Sequence, residues 1–436
     1  MRKLREEIQS REFFNNSRKS SVDFTRNRKL GFVDIILYQL SNMSRSLTVE
    51  LSDYFKEKLG NHKSYSKQAY SKGRMKIKPE SYISLNSLFQ KEYYCEPHKC
   101  YKGYRLLGID GSIIELPHGE ELESKFGKIN KESTCRNGAR SSLIYDLLNK
   151  QVIDASLERY ESSEKAIGIN QLVRIKEEGR QRKDIIVADR GYPSVELLME
   201  LEKLGYEYVI RFTPSRFIKG LEVLEKGKKK DVEIELNLSE FNKRSKNQRI
   251  GEYLSNHPEA KLSIRGIAIE LENGMKEYLI TSLRNKLEFG EDDFRAIYSE
   301  RWNQEVYYDF QKNVMQVEDF TGKTEDAVLQ DYHSRILVGN IHSMMVSEAE
   351  KEEEQAAGEQ KELKYKEYRI NRNVSYGLLK GRIYDMLRKE NKNWDEEYDQ
   401  IKEEIKRYKI PARKGRKYEH KTKGKLKYPM NNKRVF

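Results

Sequence analysis

The spacing of hydrophobic and polar positions changes character near residue 100 and again near residue 290. Over the first hundred residues it is helical. GFVDIILYQLSNMS, residues 31–44, keeps its apolar positions three and four apart, and SLTVELSDYFKEKLG opens on Ser46, a good N-cap, with Glu50 behind it and stops at Gly60. A third helix is expected in SYSKQAYSKGRMKI, residues 64–77, with Tyr65 and Ala69 facing inward and Lys67, Lys72, Arg74 and Lys76 on the surface. Two short helices about a Gly-containing turn, the second basic, have the outline of a helix-turn-helix; a solvated amphipathic helix has the same pattern.

From Tyr104 the period becomes that of strands: YRLLGIDGSIIELP, SSLIYDLLN and QVIDASLERY, separated by turns or a loop. Residues 164–179 return to helical spacing, KDIIVADRG is a short buried strand with a polar end, residues 194–205 form another helix, and YEYVIRF is a fifth strand. Three strands, a helix, a strand, a helix and a strand is the element order of an α/β fold with a ribonuclease-H-like core, a mixed sheet between helices, and other folds share that order. From about 214 to 288 the alternation is interrupted by DVEIELNL, KLSIRGIAIELENG and KEYLITSL, which read as an inserted sheet. Helical spacing resumes at Gly290 and runs with one break to about Ala357, ending in the acidic run SEAEKEEEQ, a solvated helix or linker. A further helix is expected over residues 375–388, and residues 406–436, rich in Lys and Arg with Glu419 as the single acid, read as a basic arm.

Length and composition narrow the class. A chain of 436 residues exceeds one ordinary core, so two or three domains are expected. No apolar run approaches the roughly 18 residues that span a bilayer. MRKLREEIQSREFF lacks the apolar core of a secretory signal, so a cytoplasmic chain without a membrane partner is expected. The net charge of +13 points to a polyanionic partner without separating DNA from RNA. Cys95, Cys100 and Cys135 are too few for a disulfide scaffold. CEPHKC brings Cys95, His98 and Cys100 together, but the spacing departs from the two-residue knuckle and no second pair follows, so reduced thiols near a turn at Pro97 are preferred to a zinc site.

The candidate chemistry lies with carboxylates. Asp110 ends the apolar run LLGID ahead of Gly111, which permits a turn or a close approach, and Asp189 follows IIVA ahead of Arg190 and Gly191. Aspartates at the polar ends of two buried strands can meet at one edge of a sheet, although singly such a residue is more often a turn or cap. A third acid, Glu305, stands in AIYSERWNQEVYYDFQKN, where Tyr298, Arg301, Glu305 and Lys312 recur at near-helical intervals and share one broad face. A carboxylate flanked by two cations and a tyrosine suits a metal ligand beside phosphates; a surface ion-pair ladder looks the same. Convergent carboxylates suffice for hard Mg²⁺ or Mn²⁺, and two such ions about 3.5 to 4 Å apart serve phosphoryl transfer.

At these residues the chain resembles a known family. The spacing of Tyr298, Arg301, Glu305 and Lys312 matches, at all four positions, the Y-R-E-K signature of insertion-sequence-4-type DDE transposases. IDGS about Asp110 and ADRGY about Asp189 look like its two aspartate motifs, the β-rich stretch before Glu305 is similar to its insertion, and FTRNRKLGF and SKQAYSKGRMKI resemble its N-terminal region. The resemblance implies a ribonuclease-H-like catalytic core and Mg²⁺ dependence, with Mn²⁺ as a substitute. It also implies double-stranded DNA as partner, as terminal inverted repeats and as target, with a homodimer joining two transposon ends in cut-and-paste movement at the nucleoid. By that analogy Asp110, Asp189 and Glu305 are catalytic and hold the metal, Tyr298, Arg301 and Lys312 contact the DNA strand near the cleavage site, and Arg190 and Arg211 are further phosphate contacts. Lys67, Lys72 and Arg74 of the basic helix complete the expected DNA-binding set. Family members can pass through a hairpinned end with a base flipped onto an aromatic ring; Trp302 stands beside Arg301, and packing in the core is the preferred reading for it.

The expected division is a helical DNA-binding domain over 1–100, a first part of the core over 101–213, a β-rich insertion over 214–288, a second part of the core with the glutamate helix over 289–350, and a C-terminal helical region with a basic tail over 351–436. Two rivals stay open: a metal-dependent nuclease that never joins ends, and a DNA-binding regulator that has lost catalysis, against which the three intact acids speak.

Overall fold

The computed structural model describes residues 1–26, 29–41, 46–57, 65–129, 136–270, 274–357, 368–388 and 392–411. Gly60, Cys135 and most of the basic stretch 406–436 lie outside the described residues. Two compact units result, one of residues 1–92 with 311–436 and one of residues 93–310, so compactness divides the chain differently from the five segments read from its sequence.

The first unit is helical. Its N-terminal part contains α1 (Phe32–Ser41), α2 (Leu47–Glu57), α3 (Lys67–Arg74) and α4 (Glu80–Tyr93). Ser66 starts α3 by accepting a hydrogen bond from the Ala69 N–H at 3.2 Å, and Lys67 and Lys72 are exposed as the pattern predicts. Arg74 is not: it is 1% exposed. Its Nε donates to Gln330 at 2.8 Å, its Nη2 to the Ala327 carbonyl at 2.8 Å and to Asp331 at 2.7 Å, and its Nη1 to Thr321. This corrects its assignment as a DNA contact. Position 74 lies one turn beyond the fully buried Tyr70 and shares its inward face, and the ion pair with Asp331 makes burial of the charge tolerable. Among the described residues no helix is long and apolar enough to cross a membrane.

Among the described residues, the second unit is built on one nine-stranded mixed sheet. β1 (Arg105–Glu115), β2 (Lys128–Ile129) and β4 (Gln151–Arg159) all pair antiparallel with β3 (Arg136–Asp146). β5 (Asp184–Ala188) runs parallel to β1, and β6 (Glu207–Arg211) parallel to β5. The crossovers are α5 (Glu164–Glu177) and α6 (Val195–Leu204), which begin on Ser163 and Ser194 caps; α6 ends on Gly205 in the left-handed conformation. The strand and helix order read from the sequence is therefore present. All five residues of β5 are buried, as expected of a strand between two parallel neighbours.

Three further expectations differ. The interrupting segment does not fold as a sheet of its own: β7 (Asp231–Asn237), β8 (Lys261–Glu270) and β9 (Lys276–Thr281) lengthen the main one, in the order β6-β9-β8-β7. β9 pairs antiparallel with β6, satisfying backbone groups that would otherwise be a bare sheet edge. Likewise β1 does not end at Asp110. Its pairing with β3 continues to Glu115 opposite Gly138, so Gly111 lies inside the strand and makes no turn.

The helical run from Gly290 has two breaks rather than one. α7 (Glu291–Ser299) and α8 (Trp302–Asn313) are separated at Glu300 and Arg301, and residues 314–324 separate α8 from the long helix Glu325–Ala357. A local hydrophobic period does not register a change of axis direction between two consecutive helices.

Candidate active site

The aspartates are brought together by strand register. Ile109 pairs with Ala188, so Asp110 and Asp189 follow at neighbouring positions where the pairing of β1 with β5 stops. Leu107, Ile109, Ile186 and Ala188 belong to the apolar cluster shared with Leu172 and Ile175 of α5 and Leu198 and Leu201 of α6. Because side chains alternate along a strand, both aspartates point to the opposite face.

α7 and α8 supply the remaining groups. Tyr298, near the end of α7, donates its hydroxyl to Asp189 Oδ1 at 3.2 Å. α8 is fastened to the sheet by Asn303 Nδ2 donating to the Leu147 carbonyl at 3.1 Å, Gln304 Nε2 to the Leu143 carbonyl at 3.1 Å, and the Tyr308 hydroxyl to the Asp110 carbonyl at 2.6 Å. Gly108 makes this approach possible: a Cβ there would run into Gln304 Oε1 and come within 2.9 Å of Leu147 Cδ2. With Gln304 turned down onto the sheet, its neighbour Glu305 is turned outward, its side chain 41% exposed. Arg301 Nη1 donates to Glu305 Oε1 at 2.7 Å. The Arg301 guanidinium is otherwise enclosed, 5.6 Å from the Tyr298 ring centroid and 5.1 Å from that of Trp302.

Burial pushes the Asp110 carboxyl up to about 6. The Gly111 N–H, bonded to Asp110 Oδ1 at 2.9 Å, and the Arg301 charge oppose that rise, whereas Glu164 and Glu305 add to it. Burial first, and the Asp189 charge after it, holds the Tyr298 phenol above its ordinary range. Glu164 is the acid that sequence reading missed. It stands in the first turn of α5, its Cδ 2.9 Å from where a Gly111 Cβ would be, and is ion-paired with Arg140 of β3. In the sequence it is an ordinary first-turn acid behind the Ser163 cap, and no local signal sets it apart.

The other candidates are placed as follows. Arg211 Nη1 lies 3.2 Å from Glu277 and 3.9 Å from Asp189, so Glu277 is its nearer partner. Arg190 is exposed, one residue beyond Asp189. Lys312 lies in the last turn of α8, in the part of that helix that belongs to the first unit, as do Lys67, Lys72 and Arg74. Trp302 is 57% exposed, which overturns the core reading. Gln304 and Tyr308 take the sheet-facing side of α8, and Trp302 and Val306, one turn apart, are left on its solvent side.

Among the described residues no three His, Cys, Asp or Glu side chains converge on one ion. Glu305 is turned to Arg301, and Asp189 to Tyr298. The donor set nevertheless suits a hard divalent cation: Asp110, Asp189 and Glu305 offer carboxylate oxygen, and a cation beside Asp110 would relieve the repulsion that helps to hold its carboxyl high. Cys95 and Cys100 are exposed.

Residues 101–341, more than half of the chain, match the family described as transposase DDE domain. No curated protein matches. Among solved structures, a cryo-electron-microscopy synaptic complex of piggyBac transposase with hairpin DNA is similar at 11% identity and a TM-score of 0.41, covering 92% of this chain and 82% of that one. The family match takes in β1 with Asp110, β5 with Asp189 and the part of the chain that carries Glu305. This chain belongs to the transposase DDE-domain family.

Proposed function

We propose that the chain is the DNA transposase of an insertion sequence, of the Y-R-E-K type, with Asp110, Asp189 and Glu305 as its catalytic acids. The observation that carries this reading is the register of β1 against β5, which sets Asp110 beside Asp189 on the face where Glu305 acts on the Asp110 carboxyl. The strand order β4-β3-β1-β5-β6, antiparallel across the first pairs and parallel across the last, supports a ribonuclease-H-like core.

Asp110, Asp189 and Glu305 would hold Mg²⁺, or Mn²⁺ in its place; such ions, when bound, favour deprotonation of the attacking oxygen and stabilise the leaving one. The chain's own groups position and neutralise. Tyr298 orients Asp189, and the three bonds from α8 to the sheet fix the base from which Glu305 projects. Arg301 neutralises Glu305 in this state; once that carboxylate turns away, its guanidinium stands beside the site for a DNA phosphate. Arg190, Arg211 and Lys312 are further phosphate contacts in this reading. Lys67 and Lys72 serve the N-terminal helices, which together with the strands of residues 214–288 recognise terminal inverted repeats. Water breaks the phosphodiester bond at the transposon end and leaves a 3′-hydroxyl. That hydroxyl then attacks a target phosphodiester, forming one P–O bond as another breaks, with no covalent enzyme intermediate. Two copies holding two ends, at the nucleoid, complete the proposal.

A strand-transfer assay with precleaved ends and a target plasmid tests it. Joined product in Mg²⁺ with wild type, and none with Asp110→Asn, is expected. Target hydrolysis without joining would make the protein a nuclease, and salt-sensitive binding with no metal-dependent product would make it a regulator.

A further inference from the structure

Strand register lays one row of charged side chains across the sheet. Asp110 and Asp189 follow the last pair of β1 with β5, and Ala188 pairs with Ile210, so Arg211 follows at the position beside Asp189. Arg211 in turn pairs with Leu279 of β9. Glu277 lies two residues back along β9, where it is paired with Ile269 of β8 and points to the same face as Leu279. Ile210, Phe212 and Ile280 belong to the apolar cluster on the other face, which leaves Arg211 and Glu277 on the face of the two aspartates. The distances agree: Arg211 Nη1 is 3.2 Å from Glu277 Oε1 and 3.9 Å from Asp189 Oδ1, the oxygen that also accepts from Tyr298. The cation next to Asp189 is thus held by an acid that the inserted strands supply.

This placement of Arg211 matters for an ion. A guanidinium forks onto a carboxylate through two parallel hydrogen bonds and takes up both of its oxygens, the same oxygens that a hard divalent cation needs. The Asp189 side chain is 38% exposed and that of Glu277 12%, so the pair with Glu277 lies in the less solvated surroundings, where attraction between charges is stronger. We propose that Glu277 is a positioning residue of this site: by holding the Arg211 guanidinium on its own carboxylate it keeps that cation from closing on Asp189, and so keeps the Asp189 carboxylate open to a divalent ion. This rests on the assignment of Asp110, Asp189 and Glu305 as the acids that bind the ion. Glu277 itself touches neither ion nor DNA in this role. It acts through Arg211, which stays at the rim of the site for a DNA phosphate, and β9 thereby serves the site besides covering the edge of β6.

The test is Mn²⁺ binding to the full chain without DNA, followed by electron paramagnetic resonance, for wild type, Glu277→Gln, Glu277→Asp, Arg211→Met, the double variant Glu277→Gln with Arg211→Met, and Asp189→Asn. Glu277→Gln releases Arg211 onto Asp189 and should raise the dissociation constant about 10–100-fold, the loss usual for a residue that orders a metal ligand from outside. Arg211→Met should then recover that affinity, and its gain should be at least about tenfold larger in the Glu277→Gln background than in wild type, the non-additivity of two groups in contact. Glu277→Asp keeps the charge and shortens the reach, so it should weaken binding in the same direction by a smaller factor. If Glu277→Gln does not fold, Glu277→Asp against wild type decides alone. Wild-type Mn²⁺ affinity in the folded Glu277 variants would overturn the proposal while leaving the acids in place. Equal gains from Arg211→Met in both backgrounds would do the same, because the two charges would then act on the ion independently. Unchanged Mn²⁺ binding by Asp189→Asn would overturn the assignment of the acids and Glu277 with it.

Discussion

Replacing Asp110 by asparagine should stabilise the protein when no divalent ion is present, and the gain should depend on pH. The Asp110 carboxyl stands at about 6 against an ordinary 3.8. At about 1.4 kcal/mol per pKa unit, keeping it ionised in the folded state costs at most about 3 kcal/mol; partial exposure and screening bring the expected figure to about 1–3 kcal/mol. Asparagine keeps an oxygen for the Gly111 N–H and carries no charge, so it removes that cost. Because the folded-state value lies above the unfolded one, the favourable contribution of the protonated aspartate is complete below about pH 4 and is lost as the pH rises through about 6. The advantage of Asp110→Asn should therefore be full at pH 8 and about half as large at pH 5. In thermal melts with chelator this is a rise of about 2–10 °C at pH 8 for a unit of this size. Added Mg²⁺ should then reverse the order, raising wild type by about 2.7 kcal/mol at a hundredfold excess over its dissociation constant and the variant by little. A variant no more stable than wild type at pH 8, or a gain that does not change between pH 8 and pH 5, would refute the electrostatic account of Asp110.

Three other predictions concern the supports of the site and the basic helix. Gly108→Ala should push Gln304 and the start of α8 off the sheet, costing about 1–3 kcal/mol in urea unfolding and lowering cleavage at least about tenfold, since misplacement of a catalytic group by about 1 Å is enough for a larger loss. Arg74→Met should leave Asp331 buried and unpaired and destabilise the protein by about 3–5 kcal/mol. Lys67→Ala with Lys72→Ala should instead leave stability within about 0.5 kcal/mol and flatten the salt dependence of DNA binding by about 1.8 in the log–log slope. Equal stability effects in the two cases would contradict the burial of Arg74.

Where the sequence was legible, one face of an element was apolar and its ends carried chemical signals. The crossovers α5 and α6 have Ser163, Ser194 and Gly205 at their ends, and β5 is apolar throughout, so these elements and the polar positions of Asp110 and Asp189 could be read locally. What could not be read was long-range. Arg74 looks like a surface cation until Asp331, 257 residues away, is placed against it. The pairing of Arg211 with Leu279 that joins the inserted strands to the core sheet leaves no local trace, since a strand's alternation does not say which edge it will find. The break between α7 and α8 is invisible because both segments are helical in period, and it spoils the single shared face on which Tyr298 and Glu305 were expected. Trp302 is exposed against the usual tendency of a large aromatic, because the sheet side of α8 is already taken by Gln304 and Tyr308. Glu164 acts on the Asp110 carboxyl only as a charge, from its packing over Gly111 on the other face of the strand.

The most direct test of the central claim is cleavage of linear DNA carrying the element's own flanking repeats, by wild type and Glu305→Ala side by side, with Mg²⁺ and with chelator. The account predicts cutting at the repeat ends that requires both the ion and Glu305. Cutting at the wild-type rate by a folded Glu305→Ala protein, or repeat binding by wild type with no cutting over a range of divalent ions, would contradict it.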